Sequence, residues 1–321
     1  MIARDGATDF LASAGWGGAE VLPLAGDASF RRYFRVVEPD RRAVLMDAPP
    51  EHEDVQPFLG VADLLLSAGF SAPRILARDL DRGFLLIEDF GDRLLGPVLK
   101  TEPGLEADVY GQAVDLLGDL HGATSADGLP PYDRAVLARE VMLFPDWYAK
   151  AAGIAVNEGA YLAAWDQVWA DVLAETAQRP IVTLRDYHAD NLMLLDRPGV
   201  KGLGLLDFQD ALAGHPAYDL VSLLQDARRD VSPELEAAML DRFGGGPAFR
   251  ASYEVLGAQR NVKILGIFVR LRDRDGRQGY VERLPRVWGY LERNFVHPAL
   301  APVKDWFDAN VPPALRAEWC R

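Results

Sequence analysis

The chain has 321 residues, of which 49% are apolar and 26% are charged, enough for a full core and for two lobes. Its 34 basic and 48 acidic residues give a net charge of −14, so we expect neither nucleic acid nor an anionic membrane surface as a partner. The single cysteine, Cys320, excludes an intrachain disulfide and a cysteine-based zinc site. Because no signal-peptide core and no bilayer-spanning apolar run occurs, we expect a cytoplasmic protein.

The first third of the chain is mainly β in pattern. Runs rich in β-branched and aromatic residues alternate with turn signals, and one segment carries apolar residues at helical spacing up to Gly69. These patterns predict strands at 31–37, 42–47 and 84–88, and a helix at 55–68. The order of strands and helix indicates a small α+β lobe.

Beyond Gly91 the pattern becomes helical. Amphipathic spacing predicts helices at 106–121, 161–176, 218–228, 233–243, 253–271 and 281–295. The strong β signal of this half is a hairpin, with strands at 192–195 and 203–206. We therefore expect a nucleotide-binding lobe over 1–90 and a catalytic and substrate lobe over 91–321, with ligands between them.

Two carboxylates and an amide flank this hairpin: Asp186, Asn191 five residues later, and Asp207 after the second strand. Asp and Asn also form turns, which is the alternative interpretation. Asp207, however, ends an apolar strand, so the hairpin should bring its carboxylate back towards the loop of the other two. Mg²⁺ takes carboxyl or amide oxygens together with substrate phosphates, and a further carboxylate can orient or deprotonate a hydroxyl. The pattern indicates phosphoryl transfer from ATP.

The same pattern, with the following run Gly214-His-Pro-Ala-Tyr-Asp-Leu, resembles the aminoglycoside phosphotransferase and choline kinase family, relatives of the protein kinases. The resemblance covers about residues 20–300 and implies a protein-kinase-like bilobal α+β fold that uses ATP and Mg²⁺. It implies the following roles: catalytic base, Asp186; metal ligands, Asn191 and Asp207; buried support of the loop, Asp219.

Three residues near these motifs need separate interpretation. Leu184 stands where the family has a histidine that orients the loop. His188, inside the loop, is either structural or a contact to the acceptor. We expect His215, before a proline, to be a hydrogen-bonding loop residue and not a catalyst.

The nucleotide is expected on the small lobe. Small residues in the turn before the first strand would let backbone N–H groups approach phosphates, although any hairpin turn looks similar. The lysine that the family places on the next strand is missing, because Met46 stands there. Arg32, or Arg31 with Arg35, would supply the cation unless these arginines lie on a solvated face. The expected nucleotide-binding residues, including a hinge that would pair with adenine, are Gly26, Asp27, Ala28, Ser29, Arg32, Glu88 and Phe90.

Further runs are similar to the cell-wall amino-sugar kinases, a subgroup that phosphorylates the anomeric hydroxyl of N-acetylmuramate and N-acetylglucosamine in peptidoglycan recycling. They are Asp27-Ala-Ser-Phe-Arg-Arg-Tyr-Phe-Arg, Leu143-Phe-Pro-Asp-Trp-Tyr, Asp207-Phe-Gln-Asp-Ala and Gln259-Arg-Asn-Val-Lys. The resemblance implies such a sugar as substrate.

Trp147 and Tyr148 would stack on a sugar face or belong to the core, whereas Trp165 and Trp169 are expected in the core. The expected substrate-binding residues are His188, Asp210 and Trp147. The alternatives are an aminoglycoside or other small-alcohol phosphotransferase, and a non-catalytic nucleotide-binding regulator, which the replacements at Met46 and Leu184 suggest.

Overall fold

The structure is a computed structural model that describes residues 3–24 and 30–318. The expected phosphate-approaching turn, with Gly26, Asp27, Ala28 and Ser29, lies outside the described residues, as does Cys320. The first helices and strands are α1 (Ala7–Ser13), β1 (Glu20–Pro23), β2 (Arg32–Glu38), β3 (Arg41–Asp47), α2 (Gln56–Ser67), β4 (Ile75–Asp79), β5 (Phe84–Glu88) and α3 (Leu95–Thr101).

Helices dominate the remainder, with short strands between them. The elements are α4 (Glu106–Ala123), α5 (Arg134–Val141), α6 (Glu158–Gln178), β6 (Ile181–Thr183), β7 (Leu192–Leu194), β8 (Leu203–Leu205), β9 (Leu212–Gly214), α7 (Ala217–Leu224), α8 (Pro233–Phe243), α9 (Pro247–Asp273), α10 (Leu284–Asn294), α11 (Ala301–Asn310) and α12 (Pro313–Glu318). Within the described ranges, none of these helices combines the length and the apolar character that crossing a bilayer requires.

The chain divides into two compact units. The N-terminal unit comprises Met1–Pro103 and Asp190–Asp210, and the C-terminal unit comprises Gly104–Ala189 and Ala211–Arg321. The hairpin of β7 and β8 therefore packs with the N-terminal unit. This division follows packing and not function, so the lobe boundary expected at residue 90 stays a prediction.

The N-terminal unit is built on an antiparallel sheet with the strand order β1-β2-β3-β5-β4. Phe34, Val36 and Leu45 alternate onto one face of β2 and β3, and helix α1 packs there with Phe10 and Leu11. Phe58 of α2 stacks on Phe208, with ring centroids 5.0 Å apart.

The hairpin of β7 and β8 is anchored to this unit by backbone hydrogen bonds. The N–H of Leu194 donates to the carbonyl of Arg93, and the N–H of Leu205 donates to the carbonyl of Ser71. Gly204 is required in β8, because a Cβ there would lie 2.8 Å from two carbons of the Phe90 ring.

The C-terminal unit is organised around α9, whose middle turns are buried on every side. An aromatic cluster fills the space beside it, and Trp165 and Trp169 stack within the core at 5.5 Å, as predicted. Tyr148 is fully buried and its hydroxyl accepts a hydrogen bond from Trp288 Nε1, which favours the core interpretation of this residue over stacking on a sugar.

The predicted helices are present, with boundaries that shift by a few residues. Helix α7 ends at Leu224 although periodicity extended it to 228. Polar side chains compete with the helix there, since Gln225 leaves the helical region and donates to Glu236, and Asp226 accepts from the N–H of Arg228. The strand predicted at 31–37 is β2, and the helix predicted at 55–68 is α2.

Candidate active site

Asn191 and Asp207 lie side by side in the N-terminal unit, with Asn191 Nδ2 3.5 Å from Asp207 Oδ2. Pairing of β7 with β8 brings them together, and the carbonyl of Asn191 accepts from the N–H of Leu206. Gln209 Nε2 donates to Asp207 Oδ1 at 2.8 Å. Asp207 has a left-handed backbone with φ of 56°, a conformation that disfavours a side chain and turns the chain sharply after the strand.

These residues suit a hard divalent cation. Gln209 Oε1 is buried and accepts no hydrogen bond from the part of the chain that the structure describes. Asp207 therefore has an amide oxygen without a donor beside its own carboxylate oxygens. Over the same residues, no group of three or more His, Cys, Asp or Glu is arranged to hold a metal. A two-residue oxygen set completed by substrate phosphates is a usual arrangement for Mg²⁺.

The loop that carries Asp186 belongs to the C-terminal unit, and the side chain of Asp219 holds it through hydrogen bonds to the backbone. The two carboxylate oxygens of Asp219 accept from the N–H groups of Leu184 and Arg185, at 2.7 and 2.8 Å. Burial raises the pKa of Asp219 to about 7, although these two hydrogen bonds act to lower it. Tyr187 anchors the next turn through its hydroxyl, which donates to the carbonyl of Ala113. Asp219 and Tyr187 thus hold the backbone on either side of Asp186.

Beside this loop, Glu140 is the centre of a buried charge network that sequence reasoning missed. One carboxylate oxygen accepts from Arg185 Nη2 at 2.5 Å and from Lys263 Nζ at 2.8 Å. The other accepts from the Tyr132 hydroxyl at 2.5 Å and from Gln259 Nε2 at 2.8 Å. Arg185 is thereby held with a φ of 72°, immediately before Asp186.

The charges in this network stabilise one another. Burial acts to raise the pKa of Glu140, but Lys263 and Arg185 lower it to about 2. Burial acts to lower the pKa of Lys263, but Glu140 raises it above its usual value, with a smaller contribution from Asp186. The electrostatic influence of the network therefore extends to the expected base. The sequence signal for this network was the run Gln259-Arg-Asn-Val-Lys, because it contains two of the residues that bind Glu140, Gln259 and Lys263.

The expected hinge lies at the end of β5. The Glu88 N–H donates to the carbonyl of Arg74, and the Glu88 carboxylate pairs with Arg74 at 3.1 Å and with Arg197 at 2.5 Å. Burial acts to raise the pKa of Glu88, but these arginines lower it below its usual value. Arg197 also lies over the ring of Phe90 at 5.3 Å, which fixes that ring against Gly204.

Arg32 and Met46 lie on different faces of the sheet. Arg32 pairs with the fully buried carboxylate of Asp47 at 2.7 Å, and Arg4 pairs with the same carboxylate. Met46 is fully buried opposite Tyr33. Arg32 is therefore engaged with Asp47.

The expected substrate residues have different surroundings. His188 is 2% exposed and burial holds its pKa well below the usual value, which favours its structural interpretation. Asp210 is exposed, and Trp147 is half-buried in the short π-helix Phe144–Ala149. His215 bonds to Glu175 at 2.8 Å and accepts from the N–H of Ala217, so it is the loop hydrogen-bonder expected.

One unit has a β-sheet and a carboxylate–amide pair that flanks a hairpin, and the other is helical with an acidic loop held by Asp219. These features are those of a kinase-like phosphotransferase. The fold agrees with that class: a crystal structure of a choline kinase from Streptococcus pneumoniae superposes with a TM-score of 0.58 at 12% identity, over 88% of this chain and 93% of the other. The predicted α+β kinase-like fold is confirmed.

The chain belongs to the phosphotransferase enzyme family, whose model matches residues 20–254. An N-acetylmuramate/N-acetylglucosamine kinase of Caulobacter vibrioides is 38% identical over 96% of this chain and 96% of its own length. A protein of the same name from Pseudomonas aeruginosa is 42% identical over 88% of this chain and 87% of its own length. The family resemblance and the phosphotransferase class predicted from sequence are confirmed, and membership of a kinase family implies the use of ATP.

Proposed function

We propose that this chain is an ATP-dependent kinase that phosphorylates the anomeric hydroxyl of N-acetylmuramate and N-acetylglucosamine in the recycling of cell-wall sugars. The observation that carries the proposal is the similarity, over most of both chains, to the two relatives that are named for these sugars. The acidic net charge of −14 disfavours nucleic acid and an anionic membrane surface as partners, which further supports a small-molecule substrate.

Asp186 is the proposed catalytic base. The anomeric oxygen forms a bond to the γ-phosphorus, the bond from that phosphorus to the bridging oxygen breaks, and ADP leaves. The hydroxyl proton passes to the Asp186 carboxylate. An anomeric hydroxyl is more acidic than an ordinary alcohol, so a carboxylate suffices as base. Asp219 fixes the backbone before Asp186 through the N–H groups of Leu184 and Arg185.

Asn191 and Asp207 would hold Mg²⁺ through their side-chain oxygens. When bound, the metal neutralises charge on the β- and γ-phosphates. The nucleotide side of the proposal also includes Gly26, Asp27, Ala28, Ser29, Glu88 and Phe90, and the acceptor side includes Asp210 and Trp147. We assign His188 to the structure of the loop because it is buried.

A substrate panel tests this function. The protein is incubated with Mg-ATP and, separately, with N-acetylmuramate, N-acetylglucosamine, aminoglycosides and choline, and ADP release is followed. NMR then locates the new phosphate, which we expect on C1 of the two sugars. Phosphate on an aminoglycoside hydroxyl, or ATP binding without ADP formation for any acceptor, would reject the proposal in favour of the two alternatives.

Substitution of the base gives a second test. Asp186→Asn should reduce kcat by about a thousandfold or more while ATP binding is retained, because the base acts in the transition state and not in nucleotide capture. Asp196→Asn, in the exposed hairpin turn, is the matched control. An unchanged kcat in Asp186→Asn would remove this residue from the role.

A further inference from the structure

The phosphates of a nucleoside triphosphate need a fixed cation. Met46 occupies the strand position at which the family has a lysine, so another residue has to supply the positive charge. Met46 is fully buried on β3 and lies opposite Tyr33 of β2. Residues directly opposite in an antiparallel pair share a face of the sheet, so Tyr33 marks the face that the missing cation would occupy.

Sheet register separates the two neighbouring arginines. Arg32 lies opposite Asp47 and shares its face with Phe34, which packs into the core beneath α1. Arg31 directly precedes β2, and alternation of side chains along an extended chain predicts that it lies on the face of Tyr33 and Met46. Arg35 shares that face but pairs with Asp89 and Asp92, both at 2.8 Å, in the segment that follows β5.

Arg31 is held between two carboxylates. Its Nε lies 3.6 Å from Glu53 Oε2, and its Nη2 lies 3.7 Å from Asp207 Oδ1. The side chain is 11% exposed, so the charge is largely removed from water. Burial acts to lower the pKa of Arg31, but Tyr33 and the surrounding carboxylates raise it above its usual value. A guanidinium is thereby fixed at the proposed metal ligand.

We propose that Arg31 binds the phosphates of ATP and that Glu53 is a positioning residue that holds its guanidinium. The inference rests on the proposed function, of which it identifies the phosphate-binding cation. A guanidinium presents a planar fork of N–H donors that matches phosphate oxygens in pairs. The ion pair with Glu53 restricts the side chain before the nucleotide arrives, which reduces the entropy lost on binding.

Binding measurements without any acceptor sugar test Arg31 directly. Isothermal titration compares ATP with adenosine for the wild type, Arg31→Gln and Arg31→Lys. Arg31→Gln should weaken ATP binding about tenfold to a hundredfold, which is the usual loss for a charged hydrogen-bonding partner, and leave adenosine binding unchanged. The ATP affinity of Arg31→Lys should lie between those of the wild type and Arg31→Gln, because lysine keeps the positive charge but lacks the planar fork of N–H donors. Arg41→Gln is the matched control, since Arg41 pairs with Glu38 at the other end of the same hairpin.

The role of Glu53 is tested by a double-mutant cycle. Glu53→Gln should weaken ATP binding several-fold, with adenosine unaffected. The same substitution in an Arg31→Gln background should have little further effect, because its influence passes through Arg31. A purely structural role would instead weaken both ligands, and would add to the effect of Arg31→Gln.

Two results would overturn the inference: equal ATP affinity in Arg31→Gln and wild type, or an ATP-selective loss in Arg32→Gln that is absent from Arg31→Gln. A failure of the proposed function can be distinguished from a failure of the role of Arg31. If the wild type phosphorylates no sugar but Arg31→Gln still loses ATP selectively, the sugar assignment is rejected and the role of Arg31 stands.

Discussion

The buried network around Glu140 makes a quantitative prediction about stability. Glu140→Gln keeps the size of the side chain and removes its charge. In the wild type the pKa falls from 4.5 to about 2 on folding, because Lys263 and Arg185 outweigh the effect of burial. At about 1.4 kcal/mol for each tenfold change in the ionisation constant, the charge stabilises the folded state by about 3 kcal/mol at pH 7. Breaking a buried ion pair from one side costs about 3–5 kcal/mol in other proteins, which agrees.

The pH dependence of the stability lost in Glu140→Gln gives the sharper test. The folded-state pKa is depressed, so the stabilisation is fully present above pH 4.5 and is lost as the pH falls towards 2. The difference between wild type and Glu140→Gln should fall from about 3 kcal/mol at pH 7 to less than half of that at pH 3.

Urea unfolding, followed by far-UV circular dichroism at both pH values, measures the free energy of unfolding of each variant. Asp166→Asn is the control, since Asp166 makes an ion pair of similar length with Arg134 on the surface. This variant should lose far less stability than Glu140→Gln. The same difference at pH 3 and pH 7, or a loss below about 1 kcal/mol at pH 7, would refute the reasoning.

Two further predictions concern the N-terminal unit. Asp207→Ala should raise the Mg²⁺ concentration needed for half-maximal activity by about tenfold or more, because a metal ligand is lost; activity titrated against metal measures it, and indifference to metal would contradict the assignment. Gly204→Ala should lower the free energy of unfolding by about 1–3 kcal/mol, because its Cβ would lie 2.8 Å from the Phe90 ring. Gly118→Ala, with open space around the new Cβ in helix α4, is the control and should not destabilise; equal stability of both variants would show that Phe90 is not fixed there.

The sequence predicted those parts of the molecule that depend on local pattern. The strands around Met46, the helix α2 and the hairpin after Asn191 follow from alternation, helical spacing and turn residues over short stretches. The adjacency of Asn191 and Asp207 followed because a hairpin fixes the distance between its ends.

The parts that the sequence did not predict depend on pairings between distant residues. Glu140 lies 45 residues from Arg185 and 123 from Lys263, and its helix shows no local sign that these cations surround it. The choice between Arg32 and Arg31 as the phosphate cation illustrates a second limit. Neighbouring residues of a strand point to opposite faces of the sheet, and the pairing of Arg32 with Asp47, which the sequence does not show, establishes which face each of them takes.

The left-handed backbone at Asp207 has a consequence for laboratory evolution. Glycine adopts this conformation without the steric penalty that a side chain incurs, so replacement of Asp207 by glycine relieves backbone strain. The same replacement at Arg185 would also remove a cation from the buried carboxylate of Glu140, which costs more than the strain. A library of variants that is screened only for survival at high temperature would therefore enrich changes at Asp207, one of the residues proposed to hold Mg²⁺. Screens for a heat-resistant catalyst need activity as a second criterion at this position.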